Sequence, residues 1–256
     1  MRVSDAFRRV SGERGRRRIR WLRISLDVLA VLLVGGYFLA DASMHRVDAV
    51  AEHDRRPTDG PGQDWLLVDA ERPGIGRGSG RINALRLLHL PHRGGRPILI
   101  NMPRDAYRWE PGYDSRMFEA AFERGGPKLL VASVEGAIGV RIDRYLEFRS
   151  ATQALAPAGA TDPAVLLNPF RGIPLLAHIG RSITIDKADR LHHLIELAFA
   201  LHKVGGGAAV KLNLPISGST TLAGVGPVRL IDDAKIRALA TAIAGDRPVP
   251  ASLLSG

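Results

Sequence analysis

ALRLLHL, from Ala84 to Leu90, then PHRGGR, then PILINM, from Pro97 to Met102, is the stretch on which the fold turns. Each apolar run has the length of a strand, and the Pro, His, Arg and Gly residues between them carry the chemistry of a turn at His92–Gly95. The two runs are expected to pair as a hairpin inside a core sheet. Upstream, Trp65–Val68 is a third short apolar strand. It is separated from the hairpin by ERPGIGRGSGR (Glu71–Arg81), a loop by composition. Its four glycines match neither GxGxxG nor GxxxxGK[ST], so a nucleotide-phosphate cradle is not indicated.

Downstream the period changes. Ser115–Arg124 carries a helical pattern, and Pro127–Ile138 a second one, with Pro127 suited to a first helical turn after Gly125 and Gly126. Arg144–Arg149 is expected as a strand. Between 150 and 180, Ala, Pro and Gly are frequent, and only Ala164–Leu167 and Ile173–Ile179 are strand-like. Lys187–Val204 is a long amphipathic helix with Leu191, Leu194, Ile195, Ala198 and Leu201 on one face, ending at Gly205–Gly207. Ala209–Ile216 and Val228–Ile231 are strands, and Asp232 caps a final helix to about Ala244. Strands interleaved with helices indicate an α/β or α+β sheet covered by helices, and no repeat is visible.

The net charge of +10 is concentrated at one end. Residues 1–23 hold nine arginines against Asp5 and Glu13, which leaves only +3 for the rest of the chain. Next comes ISLDVLAVLLVGGYFLA, from Ile24 to Ala40, long and apolar enough for a spanning helix of about 17–20 residues. Trp21 and Tyr37 stand where interfacial aromatics are expected. The expected organisation is a basic cytoplasmic tail (1–23), a transmembrane anchor (24–41), a polar linker (42–63), a domain (64–246) and a C-terminal tail (247–256). The positive-inside rule puts the arginines in the cytoplasm and the domain outside, in a single-pass protein of the cell membrane. A cleaved signal peptide is the rival, because ADAS (Ala40–Ser43) consists mostly of small residues. A basic cluster beside a membrane helix serves topology, and the domain then faces away from DNA, so no nucleic-acid partner is expected. With no cysteine, thiolate chemistry and disulfides are excluded.

GRINALRLLHLP, RPILINMPRDAYRWEPGY, FEAAFERGGPKLLVASVEGAIGVRIDRYLEF and DKADRLHHLIELAFAL, in that order, resemble the LytR-CpsA-Psr family from about Asp64 to Lys203. The resemblance implies an α/β domain with a mixed central sheet flanked by helices, enclosing an apolar tunnel for a polyprenyl chain. It implies a phosphotransferase outside the membrane that moves a polyprenyl-pyrophosphate-linked glycopolymer onto peptidoglycan with Mg2+. The membrane, polyprenyl phosphate and peptidoglycan are then its partners. A pyrophosphate leaving group needs arginine forks and a divalent cation for its developing charge.

Residue by residue, Pro103, Arg104 and Asp105 match the family's Pro-Arg-Asp element, in which the arginine contacts phosphate, and Arg104 and Asp105 are the expected catalytic pair. Arg72, Arg116, Arg181 and Arg190 are the further expected pyrophosphate contacts. Arg190 and Asp189 match the start of the family's helix motif, while His193 and Leu194 replace its second arginine and its glutamine. Glu71 takes the place of a family aspartate, and Asn83 and Ala84 that of an Asp-Thr pair, so Glu71 and Asn83 are the expected metal ligands of a thinned site. Adjacent His192 and His193 point about 100° apart on a helix and cannot share one ligand site. Two roles stay open: an active phosphotransferase with a rebuilt site, and a non-catalytic helper that binds polyprenyl phosphate beside an intact family member.

Overall fold

The computed structural model describes residues 34–53, 56–71, 80–92, 95–108, 117–148, 181–203, 209–224 and 226–253. Residues 34–43, α1, are helical, with Ser43 Oγ donating to the carbonyl of Ala40 (2.8 Å). The first part of the expected anchor, 24–33, lies outside the described residues. Among the described residues no helix is long and apolar enough to cross a membrane.

The rest is built on a seven-stranded mixed sheet. Its strands are β1 (His45–Val47), β2 (Gln63–Glu71), β3 (Arg81–Leu90), β4 (Ile98–Met102), β6 (Arg144–Phe148), β7 (Ile183–Asp186) and β8 (Val210–Asn213), in the order β1-β7-β6-β2-β3-β4-β8. β2 is central, antiparallel to β3 and parallel to β6. Trp65, Leu66, Leu67 and Val68 are all buried, the unbroken apolar run of a strand covered on both faces. The expected hairpin is present, with Leu85 opposite Met102 and His89 opposite Ile98.

One face of the sheet packs against two helices, α2 (Phe118–Ile138) and α4 (Asp233–Ala244). Leu66, Val68, Leu87, Ile100 and Tyr145 meet Phe118, Phe122, Leu130 and Val134 of α2 and Ile236, Leu239 and Ile243 of α4. Leu87, Ile100, Ile138, Leu214, Ile236 and Leu239 line a cavity of about 10 Å³ in this layer. On the opposite face, α3 (Leu191–Lys203) lays Leu194 and Leu197 on Trp65, Leu67, Leu88, Leu99 and Leu146. The expected helix over Lys187–Val204 therefore starts four residues later. Residues 149–180, where the implied tunnel wall and the strand-like stretches 164–167 and 173–179 fall, lie outside the described residues.

The Gly-Gly-Pro element has a local reason. α2 contains one residue off helical geometry, Gly126 at φ 65° and ψ −155°, immediately before Pro127. Side chains avoid that conformation, and proline cannot donate to the preceding turn, so two helical stretches join at a kink. α2 then closes on Gly139, left-handed at φ 70°, whose N–H bonds the carbonyl of Glu135 (2.8 Å).

A smaller sheet, in the order β5-β10-β9, joins β5 (Ala106–Tyr107), β10 (Gly226–Ile231) and β9 (Ile216–Leu222). The expected single strand Ala209–Ile216 is divided between β8 and β9, because Pro215 has no N–H to continue a ladder.

The stretch expected to be a polar linker is tied to the domain instead. β1 pairs in parallel with β7, Asp186 Oδ2 accepts from the N–H groups of Ala49 and Val50 (2.9 Å each), and Lys187 N–H donates to the carbonyl of Val47 (2.8 Å). Further on, the fully buried carboxylate of Glu135 is bonded by His53 Nε2 (2.7 Å), Arg56 Nε (3.2 Å) and the N–H of Ile142 (2.7 Å). Composition alone counts those polar residues as soluble chain, whereas each supplies a partner to a group that burial would otherwise strand.

Two expectations follow. Asp232 caps α4 through bonds from the N–H groups of Ala234 and Lys235 (3.1 Å each), so Asp232→Ala should cost about 1 kcal/mol in urea unfolding. At the edge where β2 begins, buried His89 lies between Asp64 (Nδ1 to Oδ1, 3.0 Å) and Asp246 (Nε2 to Oδ1, 3.3 Å). Burial opposes the imidazolium, but the Asp64 hydrogen bond and the two carboxylate charges outweigh it and raise the His89 pKa above its usual 6.5. A raised folded value means a stabilising contribution that is complete below 6.5 and lost as pH climbs through the folded pKa. The urea midpoint should fall from about pH 6 to about pH 9, and His89→Asn should flatten that slope.

Candidate functional site

The end of the sheet where β2, β4 and β6 finish and β3 and β7 begin carries a cleft of about 480 Å³. Asn83, Arg104, Asp105, Met117, Glu119 and Arg229 are among its lining residues. β4 runs straight into Pro103-Arg104-Asp105, where the N–H of Ala106 bonds the carbonyl of Pro103 (3.1 Å) and turns the chain into β5. Arg104 is thus set at a strand end. Its Nη1 donates to the carbonyl of Ile82 (3.1 Å) and stands 3.4 Å from Glu119 Oε1. Its own carbonyl accepts from the N–H of Glu119 at the start of α2 (3.0 Å). With 40% of its side chain exposed, Arg104 keeps surface free to meet a ligand.

Asp105 pairs with Arg229 of β10 (Nε to Oδ2, 3.2 Å), and the two backbones are bonded as well, Arg229 N–H to the Asp105 carbonyl (3.0 Å). Arg81, at the head of β3, reaches the same Glu119 oxygen from 3.5 Å. Among the described residues, the cleft is thus lined by two arginines and two carboxylates from the turn after β4, α2 and β10, with Arg81 of β3 joined to it through Glu119.

Asn83 owes its position to an irregularity. Asp69 pairs with Ala84 and Ala70 with Ile82, so Asn83 is the extra residue of a bulge between β2 and β3. A bulge re-aims a side chain at the edge of a site, and Asn83 is both exposed and on the cleft wall. Glu71 sits on the adjacent strand end opposite Arg81 and is exposed. Among the described residues no group of three or more His, Cys, Asp or Glu could hold a metal. The donors present suit Mg2+ only together with phosphate oxygens, which is its ordinary mode of binding.

Of the other expected residues, Arg181 and Arg190 are not gathered here. Arg72 and Arg116 lie outside the described residues. Arg181 is exposed just ahead of β7, at the same end of the sheet but four strands from β4, roughly 19 Å at the usual strand spacing. Arg190 lies at the opposite end, where its Nη1 bonds the carbonyls of Lys187 (3.3 Å) and Asp189 (3.0 Å). Beside it, buried Asp189 binds the guanidinium of Arg144, which also lies over the Trp65 ring at 5.6 Å. Burial raises the Asp189 carboxyl, and Arg144 works against that rise.

His193 belongs to this far cluster. Its Nδ1 receives Arg144 Nη1 (2.7 Å) and the N–H of Arg190 (3.2 Å), so that nitrogen is an acceptor. Burial and the Arg144 charge both lower its pKa. His193 is a neutral brace at the end of the sheet remote from Arg104.

Sequence reasoning passed over Arg81, Glu119 and Arg229. Arg81 closes the glycine-rich loop, Glu119 sits in the first turn of a helix where an acid needs no special explanation, and Arg229 alternates with Val228 and Leu230 as any exposed strand residue would. Only their convergence marks them.

Residues 61–152 match the LytR_cpsA_psr family model. A probable cell wall biosynthesis protein, LcpB, of Corynebacterium glutamicum is 29% identical over 316 aligned residues, covering 90% of this chain and 74% of that one. Among solved structures, the LytR-Csp2A-Psr enzyme from Actinomyces oris superposes with a TM-score of 0.55 at 15% identity over 79% of this chain and 96% of that one. TagT bound to LI-WTA gives 0.53 at 15% identity with the same coverages, and Bacillus subtilis TagT 0.51 at 16% identity over 79% and 98%. Residues 61–152 thus match the LytR_cpsA_psr family model, and the mixed sheet with helices on both faces is the fold of the solved LytR-CpsA-Psr proteins it superposes on.

Proposed function

We propose that this chain is a membrane-anchored protein of the cell envelope that binds the pyrophosphate of a polyprenyl-linked glycopolymer in the Arg104 cleft and transfers the glycopolymer phosphate to peptidoglycan. The observation that carries it is Arg104 itself: a guanidinium 40% exposed, anchored to the Ile82 carbonyl and paired loosely with Glu119 at 3.4 Å, on the wall of a 480 Å³ cleft. The relationship to a cell wall biosynthesis protein supports the setting. The arginine-rich tail and apolar segment at residues 1–40 support a single-pass anchor with the domain outside the cytoplasm.

In this assignment an acceptor hydroxyl oxygen forms a bond to the phosphorus nearer the sugar, the bond from that phosphorus to the bridging oxygen breaks, and polyprenyl phosphate leaves. Arg104 and Arg81 meet the charge that grows on the leaving phosphate, an interaction stronger in the transition state than before it. Asp105, held by Arg229 at 3.2 Å, is the carboxylate placed to accept the hydroxyl proton. Asn83 on the cleft wall and Glu71 at the neighbouring strand end would hold a Mg2+ together with phosphate oxygens, and the ion would offset phosphate charge.

A second role is favoured by specific observations: Arg190 stands at the other end of the sheet, Asn83 replaces a carboxylate, and both carboxylates of the cleft are already paired. A protein of that kind would hold polyprenyl pyrophosphate without turnover and serve an intact family member.

Full-length chain in nanodiscs, given a polyprenyl-pyrophosphate saccharide, peptidoglycan and Mg2+, should release polyprenyl phosphate. Arg104→Ala should lower that release by about 100-fold. Lipid binding that depends on Arg104 with no release assigns the helper role instead. Release unaffected by Arg104→Ala rejects the site.

A further inference from the structure

We propose that Glu119 sets the form in which pyrophosphate enters the cleft, admitting the divalent-metal complex and discriminating against the bare anion. The inference rests on the pyrophosphate-binding assignment above and adds a selectivity that the family match does not contain.

The geometry is that of an occupant. Glu119 Oε1 stands 3.4 Å from Arg104 Nη1 and 3.5 Å from Arg81 Nε, between the two guanidinium groups that a phosphate would use. Its backbone is fixed, because its N–H bonds the Arg104 carbonyl at 3.0 Å as α2 begins. The carboxylate is largely withdrawn, 18% exposed, yet it lines the cleft. The second carboxylate, Asp105, is drawn to Arg229. Among the described residues, Arg81, Arg104 and Arg229 each face an internal carboxylate.

Bare pyrophosphate entering this cleft meets that carboxylate at contact distance. It must either expel Glu119 from the arginines or lie against a like charge, and both weaken binding. A divalent cation reverses the sign. With such an ion on the phosphate, the Glu119 carboxylate would favour the complex in place of repelling it, and Arg104 would be left to the substrate. Asn83, on the same cleft wall, offers only a neutral oxygen, so it cannot draw a cation in by charge.

A plain structural role is the competing account, since an acid in the first turn of a helix stabilises it. That role would change the melting temperature and leave the metal dependence of binding alone.

The test is calorimetric binding of inorganic pyrophosphate to the full-length chain in nanodiscs, in MgCl2 and in EDTA. The wild-type chain should bind at least about tenfold more tightly with magnesium. Glu119→Gln, which keeps the shape and removes the charge, should bind about tenfold more tightly than wild type in EDTA and lose most of the magnesium effect. Asn83→Asp adds a carboxylate to the same cleft without touching α2, and should enlarge the magnesium effect. If pyrophosphate binds in an Arg104-dependent way while Glu119→Gln matches wild type in EDTA, the inference is wrong and the binding assignment survives. If no variant binds pyrophosphate, or Arg104→Ala binds as wild type does, the assignment itself falls and takes the inference with it.

Discussion

The register between β2 and β3 is the constraint from which the rest of the molecule takes its place. β2 is covered on both faces, so a slip of one residue would exchange Trp65 and Leu67, which face α3, with Leu66 and Val68, which face α2 and α4. Neither layer could absorb that exchange without cavities and clashes. The pairing is therefore held strictly from Gln63 opposite Leu90 to Asp69 opposite Ala84, and the one irregularity is pushed to the strand end. There the bulge turns Asn83 toward the cleft, and β4, registered on β3, delivers Arg104 beside it. Core packing and site geometry are set by the same ladder.

A sheet has two ends, and this one uses them differently. At the end where β2 begins, charges are withdrawn from solvent and paired with one another: Asp64, His89 and Asp246 in one group, Arg144, Asp189 and His193 in another. Groups so enclosed contribute specificity of structure and have little left to offer a ligand. At the opposite end the arginines of the ion pairs, Arg81, Arg104 and Arg229, are 40–65% exposed. Such pairs are weak and exchangeable, which is what a binding surface for anions requires.

Much of this was legible in the sequence wherever one local rule decided the outcome. The apolar runs of β2, β3 and β4 announced buried strands, Asp232 announced a helix start, and Gly125-Gly126-Pro127 announced a break between helical stretches. What escaped was set by distant partners. Residues 42–63 read as a polar linker because the pattern of the chain does not reveal that buried Asp186 and Glu135 take N–H groups and side chains from within it. β9, ISGSTTL, has the composition of a loop and is a strand because β10 lies beside it. The same limit applied to the site. Arg104 could be found from a tripeptide, whereas Arg229 enters the cleft through a second sheet whose pairing with β5 no spacing in the sequence predicts.

Arg190 shows why matching residues by motif is a weaker warrant than matching them by place. Its neighbourhood in the chain, Asp189-Arg190 at a helix start, fits the family pattern, but the strand before it runs away from the cleft: β7 is antiparallel to β6, so the chain leaves Asp186 at the end of the sheet where Trp65 lies. A charge about 20 Å along the strands from Arg104 cannot share a phosphate with it. The cation that the cleft lacks from that direction is met from another, since Arg229 arrives on β10 and brings Asp105 into a fixed pair. A phosphate-binding surface needs guanidinium groups converging within a few ångströms and is indifferent to which strand carries them. Arg81 and Arg104 converge on one Glu119 oxygen and Arg229 lines the same cleft as Arg104, all held by the one register on which the core also depends.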